Sequence, residues 1–159
     1  MTEFGEILKV LCEGKVRFIL IGGVAAVAHG AARLTQDIDV VYSRSPENLD
    51  RLAEALAPYE PYPRGAPPGL PFIWDSQTLA NGGNFTLHTT LGDVDLLASI
   101  AGGGEYENLR PFCVSIEVFG VTCECLKLEQ LIKTKRAAGR PKDFEAIAEL
   151  EIILAETDN

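Results

Sequence analysis

The chain has 159 residues, of which 47% are hydrophobic and 23% charged, with a net charge of −9. This composition excludes disordered and fibrous classes and predicts one globular unit that buries roughly 70% of its unfolded surface. The acidic balance excludes sequence-independent nucleic-acid binding by the whole surface, because phosphate neutralisation needs clustered lysine and arginine.

Phe4, Ile7, Leu8 and Leu11 recur at helical spacing and predict an amphipathic opening helix over residues 2–13, ended near Gly14. Arg17 to Ile21 reads as a buried strand, followed by the turn Gly22–Gly23 and a short helix from Val24 to His29. The whole apolar stretch from Val16 to His29 is shorter than the ~20 residues a bilayer requires. Asp37 to Tyr42, D-I-D-V-V-Y, is a strand with Ile38 and Val40 on one face and Asp37, Asp39 and Val41 on the other. Ser45 as N-cap and Pro46 at the first helical position open a helix that runs to about Ala57. Six of the nine prolines fall between Pro58 and Pro71, which predicts an irregular loop with no ladder of its own.

Farther on, Phe85 and Leu87, then Val94, Leu96 and Leu97, predict two strands joined around Gly92, the second carrying Asp93 and Asp95. Val114–Val118 and Val121–Cys125 flank Phe119–Gly120 as a hairpin. Leu128, Leu131 and Ile132 mark a helix up to Gly139, and Pro141 with Asp143 opens another bearing Phe144, Ile147, Leu150 and Leu154. Residues 127–142 hold six basic side chains and one acidic one, a local +5 against −14 on the rest. The expected organisation is one α/β (α+β) domain over 1–159, with a mixed sheet flanked by helices, a core over about 15–125 and a helical part over about 126–156.

Two aspartates one residue apart on a strand project from the same face, about 6 to 7 Å apart at their origins. Such a pair among apolar neighbours repels itself and calls for a compensating positive charge. Mg²⁺ suits it, since it takes one or two carboxylates and completes its shell with water and phosphate oxygens. Asp95 supplies a third carboxylate if its strand neighbours that of Asp37 and Asp39, and three such groups define a two-ion phosphoryl-transfer site, with Asp95 assisting as base. Asp93 shares the face of Asp95 but directly follows the turn glycine, and ranks behind it. Gly22 and Gly23, between a strand and a helix, offer backbone N–H groups to phosphate, although they are not the G-x-x-x-x-G-K-[ST] loop. Arg33 and Thr35, just ahead of the aspartates, add contacts to phosphate or sugar.

The stretch I-G-G-V-A-A-V-A-H-G-A-A-R-L-T-Q-D-I-D-V-V resembles the signature of the DNA polymerase β-like nucleotidyltransferases, and is most similar to minimal and abortive-infection toxin nucleotidyltransferases. The later L-I-K-T-K-R-A-A-G-R-P-K-D-F-E resembles the helix pair of the same group. The resemblance implies a nucleotidyltransferase fold, with Gly22 and Gly23 at the phosphate turn, Asp37, Asp39 and Asp95 as metal ligands, and Lys133, Lys135, Arg140 and Lys142 bordering the cleft. Where the family has glycine-serine this chain has glycine-glycine, which removes a hydroxyl contact to phosphate. The implied activity moves NMP from an NTP to a hydroxyl of a tRNA, a protein or a small molecule, with Mg²⁺ as cofactor and Mn²⁺ as a substitute. It includes action as the toxin of a toxin–antitoxin pair.

Each feature also has a plainer reading. A D-x-D is often a solvated strand face, a glycine pair a simple turn, and a basic helix a solvated surface whose lysines favour its C-terminal end. Trp74 and Phe72 read as core anchors, His29 as a residue that ends or packs its helix, and Asp143 as a helix N-terminal charge. Cys12, Cys113, Cys123 and Cys125 contain no C-x-x-C and no nearby histidine, so no structural zinc is expected. No secretory leader or membrane span is read in the sequence, which predicts a cytoplasmic protein with reduced thiols. The alternative to an enzyme is a non-catalytic nucleotide-binding or protein-interaction module of the same fold.

Overall fold

In chain order the elements are α1 (Phe4–Glu13), β1 (Phe18–Ile21), α2 (Gly22–Ala28), β2 (Asp37–Tyr42), α3 (Pro46–Leu56), a 3₁₀ turn (Ala57–Tyr59), β3 (Tyr62–Pro63), α4 (Ser76–Asn81), β4 (Phe85–Thr89) and β5 (Gly92–Leu97). Then come β6 (Ser99–Ile100), β7 (Gly104–Glu105), α5 (Tyr106–Leu109), a second 3₁₀ turn (Arg110–Phe112), β8 (Cys113–Val118), β9 (Val121–Leu126), α6 (Leu128–Ala138) and α7 (Pro141–Thr157). The computed structural model describes residues 2–32 and 35–157.

Seven strands form one mixed sheet in the order β3-β4-β5-β2-β1-β9-β8, and β6 and β7 form a separate two-stranded ribbon. The middle of the sheet holds its most apolar strands. All four residues of β1 are buried, as expected of a strand with neighbours on both edges and cover on both faces. β1 runs antiparallel to β2 and parallel to β9, while β2 runs parallel to β5. One apolar cluster extends from Ile7, Leu8 and Leu11 of α1 through the sheet to Ile147 and Leu150 of α7.

Local chemistry accounts for several helix ends. The Ser45 side chain accepts from the backbone N–H of Asn48 at the start of α3, and Asp75 accepts from Thr78 N–H at the start of α4. Gly139, at φ +67°, closes α6, where a left-handed residue costs glycine little. Arg140 caps α7 with the help of Asp143, whose carboxylate reaches back to the Arg140 backbone N–H at 3.1 Å. Asn48 is buried and bonds to Arg17 N–H, Arg17 O and Ser43 O, tying α3 to the ends of β1 and β2.

Four sequence expectations need correction. The glycine pair is not a separate turn: Gly22 and Gly23 are the first residues of α2, which directly follows β1. The proline-rich segment does contribute a ladder, because Tyr62–Pro63 pair with Leu87 and His88 at the sheet edge, where proline's missing N–H points away from the partner. Phe144 is 56% exposed instead of packed, since Ala146, Ile147 and Leu150 define the buried stripe of α7 and Phe144 lies beside it. The fourth concerns Lys133 and is taken up with the site. Helix α4, the β6–β7 ribbon and α5 had no sequence signal strong enough to predict them. α4 is closed by Arg44, which reaches from the end of β2 to the carbonyls of Leu79, Ala80 and Gly82.

Candidate active site

The parallel pairing of β2 with β5 sets Asp37 opposite Asp93 and Asp39 opposite Asp95. Because alternate residues share a face, this register places all four carboxylates on one side of the sheet, on adjacent strands. Carboxylate oxygens of Asp37, Asp39 and Asp95 lie within 4.8 Å of one another, and among the described residues theirs is the one group of three or more metal-ligating side chains so arranged. Hard oxygen donors at this spacing fit a divalent cation of the Mg²⁺ or Mn²⁺ type.

The environments of Asp37 and Asp39 support that fit. Burial, then repulsion from Asp37 and Asp95, pushes the Asp39 carboxyl up to about 8. Asp37 is also raised, by burial and by Asp95, against the opposing pull of Arg64. A cluster that resists ionisation is short of positive charge, which a bound cation supplies.

Gly22 is required beside Asp39 on two grounds. Its φ is +71°, and a Cβ there would stand 2.1 Å from Asp39 Oδ2. A Cβ on Gly23 would meet Thr35 Oγ1 at 2.7 Å, and that hydroxyl in turn donates to Asp37 O at 3.0 Å. The glycine pair therefore lets the β2 carboxylate and the preceding loop approach the start of α2 closely.

Above the triad opens a cavity of about 560 Å³, lined in part by Gly22, Gly23, Thr35, Asp37, Asp39 and Asp95. Its opposite wall is the paired C-terminal helices, with Leu131, Thr134, Lys135 and Ala138 from α6 and Arg140, Lys142 and Asp143 at the start of α7. Residues 131, 134, 135 and 138 follow i, i+3, i+4, i+7 and so share one helical face. Lys133 falls on the opposite side of α6, exposed and off the cavity wall, and the helix period is the physical reason. Lys135 lines the cavity. Asp143 is buried and held below the usual carboxylate range: burial opposes this, but bonds from Arg140 Nε at 2.7 Å and Nη2 at 3.1 Å outweigh it. Arg33 lies outside the described residues.

One side chain at the acidic face escaped the sequence reading. Arg64, just after β3, crosses β4 and sets its guanidinium against the acidic face, with Nη2 donating to Asp95 Oδ1 at 2.7 Å and to Leu87 O at 3.0 Å. Its Nη1 is 3.5 Å from Asp37 Oδ2 and its Nε 3.4 Å from Asp93 Oδ2. Asp93 also accepts from His88 Nδ1 at 2.8 Å, so the fourth aspartate belongs to this arginine and histidine and does not join the triad. A lone arginine between prolines and Gly65 gives no sequence signal, because the edge pairing of β3 is what aims it.

Other residues have structural roles. His29 Nε2 lies 2.8 Å from Leu126 O and joins the end of α2 to β9, while Trp74 Nε1 donates to Ala53 O at 2.9 Å. Burial raises the thiols of Cys113 and Cys123 to about 11 and Cys125 to about 12.

Comparison with known proteins follows the same lines. Structures that superpose include the lincosamide antibiotic adenylyltransferase LnuA in its lincomycin-bound form, at TM-score 0.63 and 17% identity, covering 96% of this chain and 98% of that one. A nucleotidyltransferase candidate from Thermotoga maritima matches at TM-score 0.59 and 15% identity over 93% of each chain. The antibiotic-resistance factor ANT(2'')-Ia matches at TM-score 0.55 and 15% identity, over 98% of this chain and 89% of that one. The chain has a nucleotidyltransferase fold. Residues 8–68 also match the family model of the nucleotidyl transferase AbiEii toxin of type IV toxin–antitoxin systems, a segment that holds the glycine pair, Asp37, Asp39 and Arg64 but neither Asp95 nor the basic wall. Family match and fold thus point to one class of enzyme, a nucleotidyltransferase. Comparison with curated protein sequences gives no match. No helix among the described residues is long and apolar enough to cross a membrane.

Proposed function

We propose that the chain transfers a nucleoside monophosphate from an NTP to a hydroxyl acceptor, with Mg²⁺ held by Asp37, Asp39 and Asp95. The observation that carries this reading is the β2–β5 register, which brings three carboxylates together beneath a cavity walled on the other side by Lys135, Arg140 and Lys142. The bound cation would supply charge neutralisation at the triphosphate and acidify the acceptor hydroxyl. The chain's own residues do the rest. The backbone at Gly22 and Gly23 lets phosphate approach closely, Thr35 and the basic wall orient the triphosphate, and Arg33 stays in the proposed contact set from the sequence alone. The acceptor oxygen forms a bond to the α-phosphorus as the α–β bridging bond breaks, pyrophosphate leaves, and Asp95 takes the hydroxyl proton.

The acceptor is drawn from two comparisons. The AbiEii match supports a toxin role, for which the sequence resemblance offers a tRNA or a partner protein as acceptor, and the lincosamide adenylyltransferase and the antibiotic-resistance factor among the structural neighbours support a small-molecule acceptor. Purified protein incubated with each α-labelled NTP, Mg²⁺ and RNA, protein or lincosamide acceptors should transfer label to one class, and Asp39→Asn should not. Label in none of them would count against the reading. If the toxin role is correct, expression arrests growth and Asp39→Ala relieves the arrest.

One observation supports a second reading, a non-catalytic nucleotide-binding module. Arg64 already provides a positive charge to Asp37 and Asp95, so the acidic face has a partner without metal. Saturable nucleotide binding with no turnover would favour that module.

A further inference from the structure

The acidic face has two claimants. A divalent cation at the triad needs oxygen lone pairs from Asp37, Asp39 and Asp95. The Arg64 guanidinium already engages Asp95 directly and lies beside Asp37 and Asp93, though it does not reach Asp39. A cation beside Asp95 and an arginine 2.7 Å from its Oδ1 repel one another across a partly buried site, where the charges are screened less than in water.

The arginine is held in a way that suits release. Its Nε is buried and makes no hydrogen bond, only a 3.4 Å ion-pair contact with Asp93 Oδ2, so this donor of the fork is the least well satisfied. The backbone, by contrast, is anchored, with Arg64 N–H donating to Thr86 O at 2.9 Å. Tyr62 also pins the loop, accepting from Leu70 N–H at 3.2 Å and packing edge-on against Phe72 with ring centroids 6.1 Å apart. Because the backbone is anchored, rotation of the side chain would free the carboxylates without unravelling β3. The neighbouring Gly65 faces open space, and no atom lies within 4 Å of where its Cβ would be.

We propose that Arg64 is a displaceable internal counter-ion. It neutralises the aspartates in the metal-free protein and competes with the divalent cation for Asp37 and Asp95, so that metal uptake requires the guanidinium to leave them. This rests on the metal-site reading above and concerns Arg64 as a positioning residue, not a catalytic one.

The test is Mn²⁺ binding without nucleotide, read from the loss of the free-ion paramagnetic signal and by calorimetry, together with metal-free thermal unfolding. Arg64→Gln should bind Mn²⁺ about 10-fold more tightly than the wild type and unfold at a lower temperature without metal, because the aspartates then repel one another unopposed. Arg64→Lys keeps a positive charge and all four carboxylates but loses the forked reach to Asp95 and Leu87 O, and should tighten Mn²⁺ binding by about 2- to 3-fold. It keeps the test decisive if Arg64→Gln does not fold. Equal or weaker Mn²⁺ affinity in the folded variants, with wild-type binding abolished by Asp39→Asn, overturns the counter-ion role and leaves the metal site standing. Absence of Mn²⁺ binding in every folded variant overturns both.

Discussion

The floor and the wall of the cavity are built by different means. The floor is made by strands: Asp37, Asp39 and Asp95 are fixed by a parallel register in the middle of the sheet, where a shift of one residue would turn the acidic face inward. The wall is made by two helices and the turn at Gly139 between them, with long side chains whose charged ends reach solvent; Arg140 and Lys142 are exposed. A floor of this kind suits short-range chemistry that tolerates little displacement. A wall of this kind suits recognition of a diffuse charge such as a triphosphate. Damage to the floor should therefore abolish activity, and damage to the wall should weaken binding.

The largest effect is expected at Asp39. Asp39→Ala should lower nucleotidyl transfer by ~10³-fold or more, since it removes one of the three carboxylates proposed to hold the cation, as measured by label transfer under saturating NTP. Next comes the glycine beneath it. Gly22→Ala combines a φ of +71° with a Cβ that collides with the Asp39 carboxylate, and should cost about 2–4 kcal/mol in thermal unfolding. Unfolding within 1 °C of the wild type would mean that the carboxylate moves aside freely, and that the floor is softer than its register implies.

A third test uses pH. The Asp39 carboxyl is pushed up to about 8 in the folded chain from an ordinary 3.8, so the folded state binds its proton more tightly than the unfolded one. Stability from this group is complete below about pH 4 and is lost as pH rises toward about 8. The metal-free unfolding midpoint should fall by roughly 5–10 °C across that window. Asp39→Asn should flatten the fall, and a divalent cation should offset it at the alkaline end. A wild-type profile already flat without metal would contradict the assigned environment.

The smallest effects separate the two sides of α6. Arg140→Ala with Lys142→Ala should raise the NTP dissociation constant by about 5- to 10-fold with little change in the chemical step. Lys133→Ala, on the far side of the helix, should change it by less than about 2-fold. Equal losses from both would mean that nucleotide binding responds to net charge and not to the wall.

The D-x-D strand, the helices at either end, the β8–β9 hairpin and the caps at Ser45 and Gly139 were legible because each is set by neighbours a few residues away, through side-chain period, proline and glycine geometry, or a short polar side chain. The three aspartates were legible as candidates for the same reason. Their convergence was not, since it depends on β5 lying parallel and in register beside β2 after 49 intervening residues. The side of α6 that faces the cavity was likewise open, and Lys133 and Lys135 could be told apart only once the helix was docked. Arg64 shows the limit most clearly. Within the sequence it is one basic residue in a proline-rich loop, and only the pairing of β3 at the sheet edge brings its charge to Asp37, Asp93 and Asp95. Local geometry follows from local sequence, while electrostatic partnerships follow from which chain segments lie side by side.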